Sequence, residues 1–111
     1  MPFAETFALR CQLSRGGFSS ERVFRVRAVN GAQFIGVAPP EYCFTEQGKP
    51  IGPDEPAPGT SMPGLVTARK VRTAADGTLL VSVPDGSVVS VRPELLIRRP
   101  TPSISIAVRF E

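Results

Sequence analysis

Apolar and polar residues alternate with a period of two along most of this chain, and helical spacing is nearly absent. Phe7, Leu9, Cys11 and Leu13 alternate with Ala8, Arg10 and Gln12, the pattern of a strand with one buried face. Ser14 to Ser20, with Gly16-Gly17, reads as a turn. Arg22 to Val29 and Ala32 to Ala38 flank Asn30-Gly31, a pair suited to a two-residue type I′ hairpin turn because both positions take positive φ. That turn predicts a register in which Val26 faces Ile35 and Phe24 faces Val37 on an apolar side. The other side then carries Val29 with Ala32, Arg27 with Phe34 and Arg25 with Gly36.

The second half repeats the alternation. Leu65 to Arg72 is a candidate strand, followed by a turn at Ala75-Asp76-Gly77. Thr78 to Val83 and Ser87 to Arg92 flank Pro84-Asp85-Gly86, whose residue types fit two right-handed positions and a left-handed third, so a three-residue loop is expected. In that register Val81 faces Val89 and Leu79 faces Val91, with Ser82 and Ser90 on the opposite side beside Leu80 and Val88. Pro93 to Leu96 reads as a single helical turn, proline being accepted at a helix start. Ile104, Ile106, Val108 and Phe110 alternate with Ser103, Ser105, Ala107 and Arg109, the cleanest strand pattern in the chain. The expected core is Phe7, Leu9, Leu13, Phe24, Val26, Ile35, Val37, Leu79, Val81, Val89, Val91, Ile104, Ile106 and Val108.

Between the two halves, residues 39–63 hold seven of the twelve prolines. Each removes an N–H donor and fixes φ, so regular pairing should fail through most of the segment. Tyr42-Cys43-Phe44 is the exception and is expected to anchor it to the core as a short strand. The part from Gly52 to Pro63 is expected to be mobile. These elements predict an all-β fold, a small SH3-like or partly open barrel of about six to seven mostly antiparallel strands with one long proline-rich loop. The chain reads as one domain over 1–111. An internal echo also suggests two pseudo-repeated β units, about 1–50 and 64–111: Val29-Asn30-Gly31 leading to Pro40-Glu41-Tyr42-Cys43-Phe44 is matched by Pro84-Asp85-Gly86 leading to Pro93-Glu94-Leu95-Leu96-Ile97.

The hairpin from Val81 to Val91, the turn at Pro93 to Leu96 and a closing strand make residues 64–110 similar to SH3-like small barrels of the Tudor or KOW kind. The aromatic cage by which some Tudor-type domains hold methylated ligands does not carry over, because residues 64–109 contain no aromatic residue. Fold likeness of this kind implies little about function.

Composition narrows the chemistry. There is no histidine among the 111 residues, which removes catalytic triads and zinc sites that depend on imidazole. Cys11 and Cys43 are too few for a four-thiolate zinc site, and no Walker loop, dinucleotide fingerprint or EF-hand loop is present. Asp54 and Glu55 are adjacent in the proline-rich loop and read as solvated charges. The chain is therefore read as non-catalytic, with no catalytic residues, no cofactor and no metal. The two cysteines read as reduced, buried thiols, with a Cys11–Cys43 bridge or a reactive thiol as alternatives. No apolar run is long enough to span a membrane and the first residues lack a secretory pattern, so a cytoplasmic protein without membrane contact is expected.

The net charge of +3 is unevenly distributed. The flanks are basic, and residues 41–68 carry Glu41, Glu46, Asp54 and Glu55 against Lys49 alone. Complementary segments of this kind favour self-association, and β-rich domains offer edge strands to partners. The expected function is a protein-binding or structural module, pairing with another protein or with itself as a homo-oligomer. The alternative is RNA or single-stranded nucleic-acid binding through an arginine-bearing hairpin face, where basic side chains interleave with an aromatic. The candidate binding surface is Arg25, Arg27, Phe34 and Tyr42. A small-molecule pocket within the barrel is a third option.

Overall fold

A computed structural model describes residues 6–18 and 20–99. Its backbone is almost wholly extended, as the period-two pattern requires, in one mostly antiparallel sheet of eight strands that curls into a nearly closed barrel. Two long strands form the middle. β1 (Thr6–Arg15) and β5 (Ser61–Thr73) pair antiparallel from Phe7 opposite Ala68 to Ser14 opposite Ser61. β2 (Arg22–Arg27) and β3 (Gln33–Ala38) extend the sheet beyond β1, while β6 (Leu79–Ser82) and β7 (Val88–Val91) extend it beyond β5.

Two short strands complete the arrangement. β4 (Cys43–Thr45) follows a 3-10 turn at Pro40–Tyr42 and pairs with β5; β8 (Leu96–Arg99) follows a 3-10 turn at Pro93–Leu95 and pairs with β1. Leu96, Leu9, Val66 and Cys43 thus stand in register across four adjacent strands, β8-β1-β5-β4. Leu9, Val66 and Cys43 are fully buried and Leu96 packs on the same core. The sheet nearly closes where the loop between β2 and β3 meets β7, with the Val29 N–H donating to the Ser90 carbonyl at 2.9 Å. A cleft of about 410 Å³, lined by Phe34, Val88 and Val89, remains there.

The second hairpin has the expected register: Leu79 faces Val91 and Val81 faces Val89, and Gly86 closes a three-residue loop at φ 91°. The first hairpin departs from expectation. Its loop also has three residues, closed by the Ala28 N–H donating to the Ala32 carbonyl, and only Gly31 is left-handed, at φ 87°. Asn30 keeps a negative φ and instead uses its side-chain oxygen to accept from the Ala32 N–H at 2.9 Å, a local bond that asparagine makes readily. One extra loop residue shifts the pairing by one, so Val26 faces Phe34, Arg25 faces Ile35 and Phe24 faces Gly36. Every β3 side chain changes face as a result. Ile35 and Val37, expected in the core, are 55% and 42% exposed, and the inner positions are Phe34, Gly36 and Ala38. Steric fit accounts for the choice: the Phe24 ring lies against Gly36, where an added Cβ would sit 2.5 Å from Phe24 Cζ.

The middle segment is also more ordered in its bonding than its composition predicts. β4 forms where Tyr42-Cys43-Phe44 was expected to anchor, and β5 begins at Ser61, inside the segment expected to be irregular. Pro63 is accommodated because β4 pairs with β5 only from Gly64 onward, leaving one side of the strand open at the proline. The stretch expected to be mobile is held by two arginines. Arg22 donates to the carbonyls of Glu55 (2.8 Å) and Pro53 (3.1 Å), and Arg15 donates to those of Pro56 (2.9 Å) and Pro53 (3.3 Å). A proline-dense backbone has few donors but keeps all its acceptors, and guanidinium groups supply the missing half. Arg22 is wholly buried, and Ile51 and Pro56 of the segment it holds are buried as well. The β8 strand is not foreshadowed by the sequence pattern. The strand expected at Ser103–Phe110, with core positions Ile104, Ile106 and Val108, lies outside the described residues.

Candidate functional site

The four residues singled out from sequence fall on three separate surfaces. Arg25 and Arg27 share the outer face of β2, where the β1–β2 register sets Arg25 beside Gln12. Phe34 points the other way, packing on Phe24 with ring centroids 6.0 Å apart, so the expected Arg27–Phe34 contact gives way to Arg27 opposite Gln33. Tyr42, 44% exposed, ends the first 3-10 turn and lies beside β5.

Two clefts organise these surfaces, and the topology makes them counterparts. The outer edge of β1 is shared: β8 covers it as far as Leu9 and β2 resumes at Gln12, so Arg10 and Cys11 fall in a gap between partner strands. The outer edge of β5 is shared likewise: β4 covers it as far as Val66 and β6 resumes at Arg69, leaving Thr67 and Ala68 in the gap. The β1 cleft measures about 300 Å³ and is lined by Arg10, Gln12, Arg25, Arg27, Glu46 and Leu95, among others. The β5 cleft measures about 350 Å³ and is lined by Tyr42, Thr67, Arg69, Ser82 and Pro84, among others. Three positions correspond by their place in the elements. Leu95 and Tyr42 each end a 3-10 turn, Arg27 and Ser82 each end a hairpin strand, and Arg10 and Thr67 each follow the central Leu9–Val66 pair.

The β1 cleft is basic. Arg25 Nη1 donates to Ser14 Oγ at 3.1 Å, while among the described residues Arg10 and Arg27 have no hydrogen-bond or ion-pair partner. Sequence reading missed Arg10 because the alternation marks it only as an outward residue of β1. Its convergence with Arg25 and Arg27 depends on how β1 pairs with β2 across a loop that carries no register signal.

Neither cysteine offers reactive chemistry. Both are free and buried, so the alternative of a Cys11–Cys43 bridge is not realised. Burial raises the Cys11 thiol above its ordinary range, with Cys43 adding to the effect. Burial likewise pushes Cys43 up to about 11, against a lowering influence of Arg22 and a raising one of Glu41. A thiol that stays protonated is a poor nucleophile and a poor metal ligand. Among the described residues no cluster of three or more cysteine, aspartate or glutamate side chains is placed to hold a metal, and no helix is long and apolar enough to cross a membrane. Comparison with protein-family models, with curated proteins and with solved structures finds no match to this chain.

Proposed function

We propose that this chain is a non-catalytic protein-binding module that associates with a second copy of itself through β3. One observation carries the reading. β3 is the terminal strand of the sheet, its sequence Gln-Phe-Ile-Gly-Val-Ala contains no charge, and Ile35 and Val37 stand exposed on it. Edge strands of monomeric proteins are usually protected by charge, proline or a bulge, and β3 has none of these. Val23 lies opposite Val37 on the same outer face, so a second copy would meet a small apolar row backed by Arg25. A two-fold arrangement lets the same strip serve both partners. The barrel's finer kinship belongs to the same reading. The β6–β7 hairpin, the 3-10 turn at Pro93 and closing strand β8 follow the SH3-like order, and two buried free thiols suit a reducing compartment such as the cytoplasm.

Sedimentation velocity tests the proposal. The wild-type chain is expected to sediment as a dimer or larger species, and Ile35→Lys with Val37→Lys is expected to return it to a monomer that still unfolds cooperatively. Truncation after Pro102, which removes the alternating segment 103–110, is the second arm: a loss of association there with no effect of the β3 variants would transfer the interface away from β3. A wild-type monomer across the concentration range overturns the reading.

A further inference from the structure

The two clefts lie at equivalent breaks in strand pairing but differ in charge, and the difference identifies a ligand chemistry for one of them. The β1 cleft gathers three guanidiniums, Arg10, Arg25 and Arg27, against a single carboxylate, Glu46. By place in the hairpin strand the β5 cleft has Ser82 in place of Arg27, after the central pair it has Thr67 in place of Arg10, and its Arg69 stands where the β1 cleft has Gln12. The same junction of strands therefore closes without those two arginines, and the fold does not require them. Arg10 and Arg27 are exposed and, among the described residues, have no hydrogen-bond or ion-pair partner, unlike Arg15 and Arg22, which are committed to backbone carbonyls. Three guanidiniums on adjacent strands against the one carboxylate of Glu46 leave the cleft with an excess of positive charge that an anion from outside would offset.

We infer that the β1 cleft is a docking site for carboxylate side chains of an acidic segment in a partner protein. Planar guanidiniums match carboxylates in a two-bond geometry, and Gln12 and Gln33, which neighbour Arg25 and Arg27, add neutral donors. The walls at Pro63 and Leu95 are apolar, which suits a peptide backbone and its aliphatic side chains. One feature favours peptide over nucleic acid: Phe34 packs on Phe24 against the core, so the cleft has no ring on which a base could stack. The inference rests on the protein-binding reading only for the class of partner; it uses a different surface from the self-association strip on β3.

The experiment uses the full chain with a fluorescein-labelled hexaglutamate peptide, followed by anisotropy at low and moderate salt. Binding is expected, weakening as salt rises. The variant Arg10→Thr with Arg27→Ser installs the counterpart residues of the β5 cleft, and its affinity is expected to fall at least about tenfold, equivalent to about 1.4 kcal/mol. Arg69→Gln, in the other cleft, is expected to leave binding unchanged. The unfolding midpoint of each variant is measured alongside, so that a loss of fold is distinguished from a loss of site. No binding by the folded wild type, or binding equally insensitive to the Arg10/Arg27 change, overturns the inference. Tighter binding of a mixed-sequence single-stranded oligonucleotide that displaces the peptide also overturns it, in favour of nucleic acid. Because sedimentation reads self-association separately, a dimer that ignores the peptide refutes this site without touching the β3 proposal.

Discussion

Replacing Ile35 by lysine is expected to leave the folded state nearly as stable as before, whereas adding a single methyl group at Gly36 is not. Full burial of an isoleucine stabilises by about 1.5–3 kcal/mol, but Ile35 is 55% exposed, so less than half of that is at stake. The aliphatic stem of lysine recovers part of the remainder, which puts the expected loss below about 1 kcal/mol. At Gly36 an added Cβ would meet Phe24 Cζ at 2.5 Å and Cε1 at 3.0 Å. Phe24 is fully buried, and the Phe34 ring lies beside it, so the ring has little freedom to withdraw. Overpacking of this kind costs about 1–3 kcal/mol, offset by about 0.5–1 kcal/mol from the lower entropy of the unfolded alanine chain. The net expectation for Gly36→Ala is a destabilisation centred on about 1 kcal/mol and reaching at most about 2.5 kcal/mol. Urea titration followed by circular dichroism, at a concentration where association does not contribute, reads both changes as shifts in midpoint at constant slope. If Ile35→Lys unfolds the protein while Gly36→Ala is neutral or stabilising, Ile35 and Val37 face inward, and the three-residue turn is refuted in favour of the two-residue one.

Two further predictions concern buried polar groups. Arg22→Met removes donors to the carbonyls of Glu55, Pro53 and Glu21 from a fully buried position; breaking such a set is expected to cost about 3–5 kcal/mol. Amide exchange in residues 52–60 should accelerate more in this variant than in Arg15→Met, and equal effects of the two would refute the clamp. The thiols predict a pH dependence. Burial raises both Cys11 and Cys43 above the ordinary 9.0, so above that pH the unfolded chain releases thiol protons that the folded chain retains. Their contribution to stability is then constant below about pH 9 and declines above it, by up to about 1.4 kcal/mol per pH unit per thiol. Unfolding midpoints of wild type and Cys11→Ala between pH 7 and 10.5 should converge as pH rises; parallel profiles would show that the thiol ionises freely in the fold.

Local chemistry made one hairpin legible and misled on the other. Pro84-Asp85-Gly86 has one residue type suited to each loop position, so the β6–β7 register follows from the turn alone. Asn30-Gly31 fits two loop lengths, and the choice between them is made away from the turn, where the Phe24 ring lies against Gly36 with no room for a Cβ. That is a tertiary volume effect, and counting apolar residues on a face works against it, since the discarded register has the more hydrophobic inner face. The arginine clamp was hidden for a similar reason: proline content announces missing donors, but nothing in the order of residues says that Arg15 and Arg22 lie where the donors are needed. Of the candidate site, Arg25 and Arg27 were visible as outward residues of a strand. Their union with Arg10 depends on strand pairing across the Ser14–Ser20 loop, which local sequence does not determine.

The echo between Val29–Phe44 and Pro84–Ile97 has a topological counterpart that explains why the clefts exist at all. In each unit a long strand leads into a glycine-turned hairpin, then a 3-10 turn begun by proline, then a short strand. The short strand does not return to its own long strand: β4 lies on β5, and β8 lies on β1. Each long strand is therefore covered on its outer edge partly by its own hairpin and partly by a strand from the other unit. Each exchanged strand begins directly after its 3-10 turn, at Cys43 opposite Val66 and at Leu96 opposite Leu9, and runs away from the hairpin, so its pairing stops short of it. Two residues of each long strand, Arg10-Cys11 and Thr67-Ala68, are left between partners, with Cys11 and Ala68 still buried by inward packing and Arg10 and Thr67 turned outward. Packing holds the inward member of each gap to a small apolar side chain, whereas the outward member and the last residue of the neighbouring hairpin strand are unconstrained by the core. Charge at those outward positions can differ between the clefts without disturbing the Leu96–Leu9–Val66–Cys43 row behind them, which is why arginine in one and threonine and serine in the other is informative about ligand and not about fold.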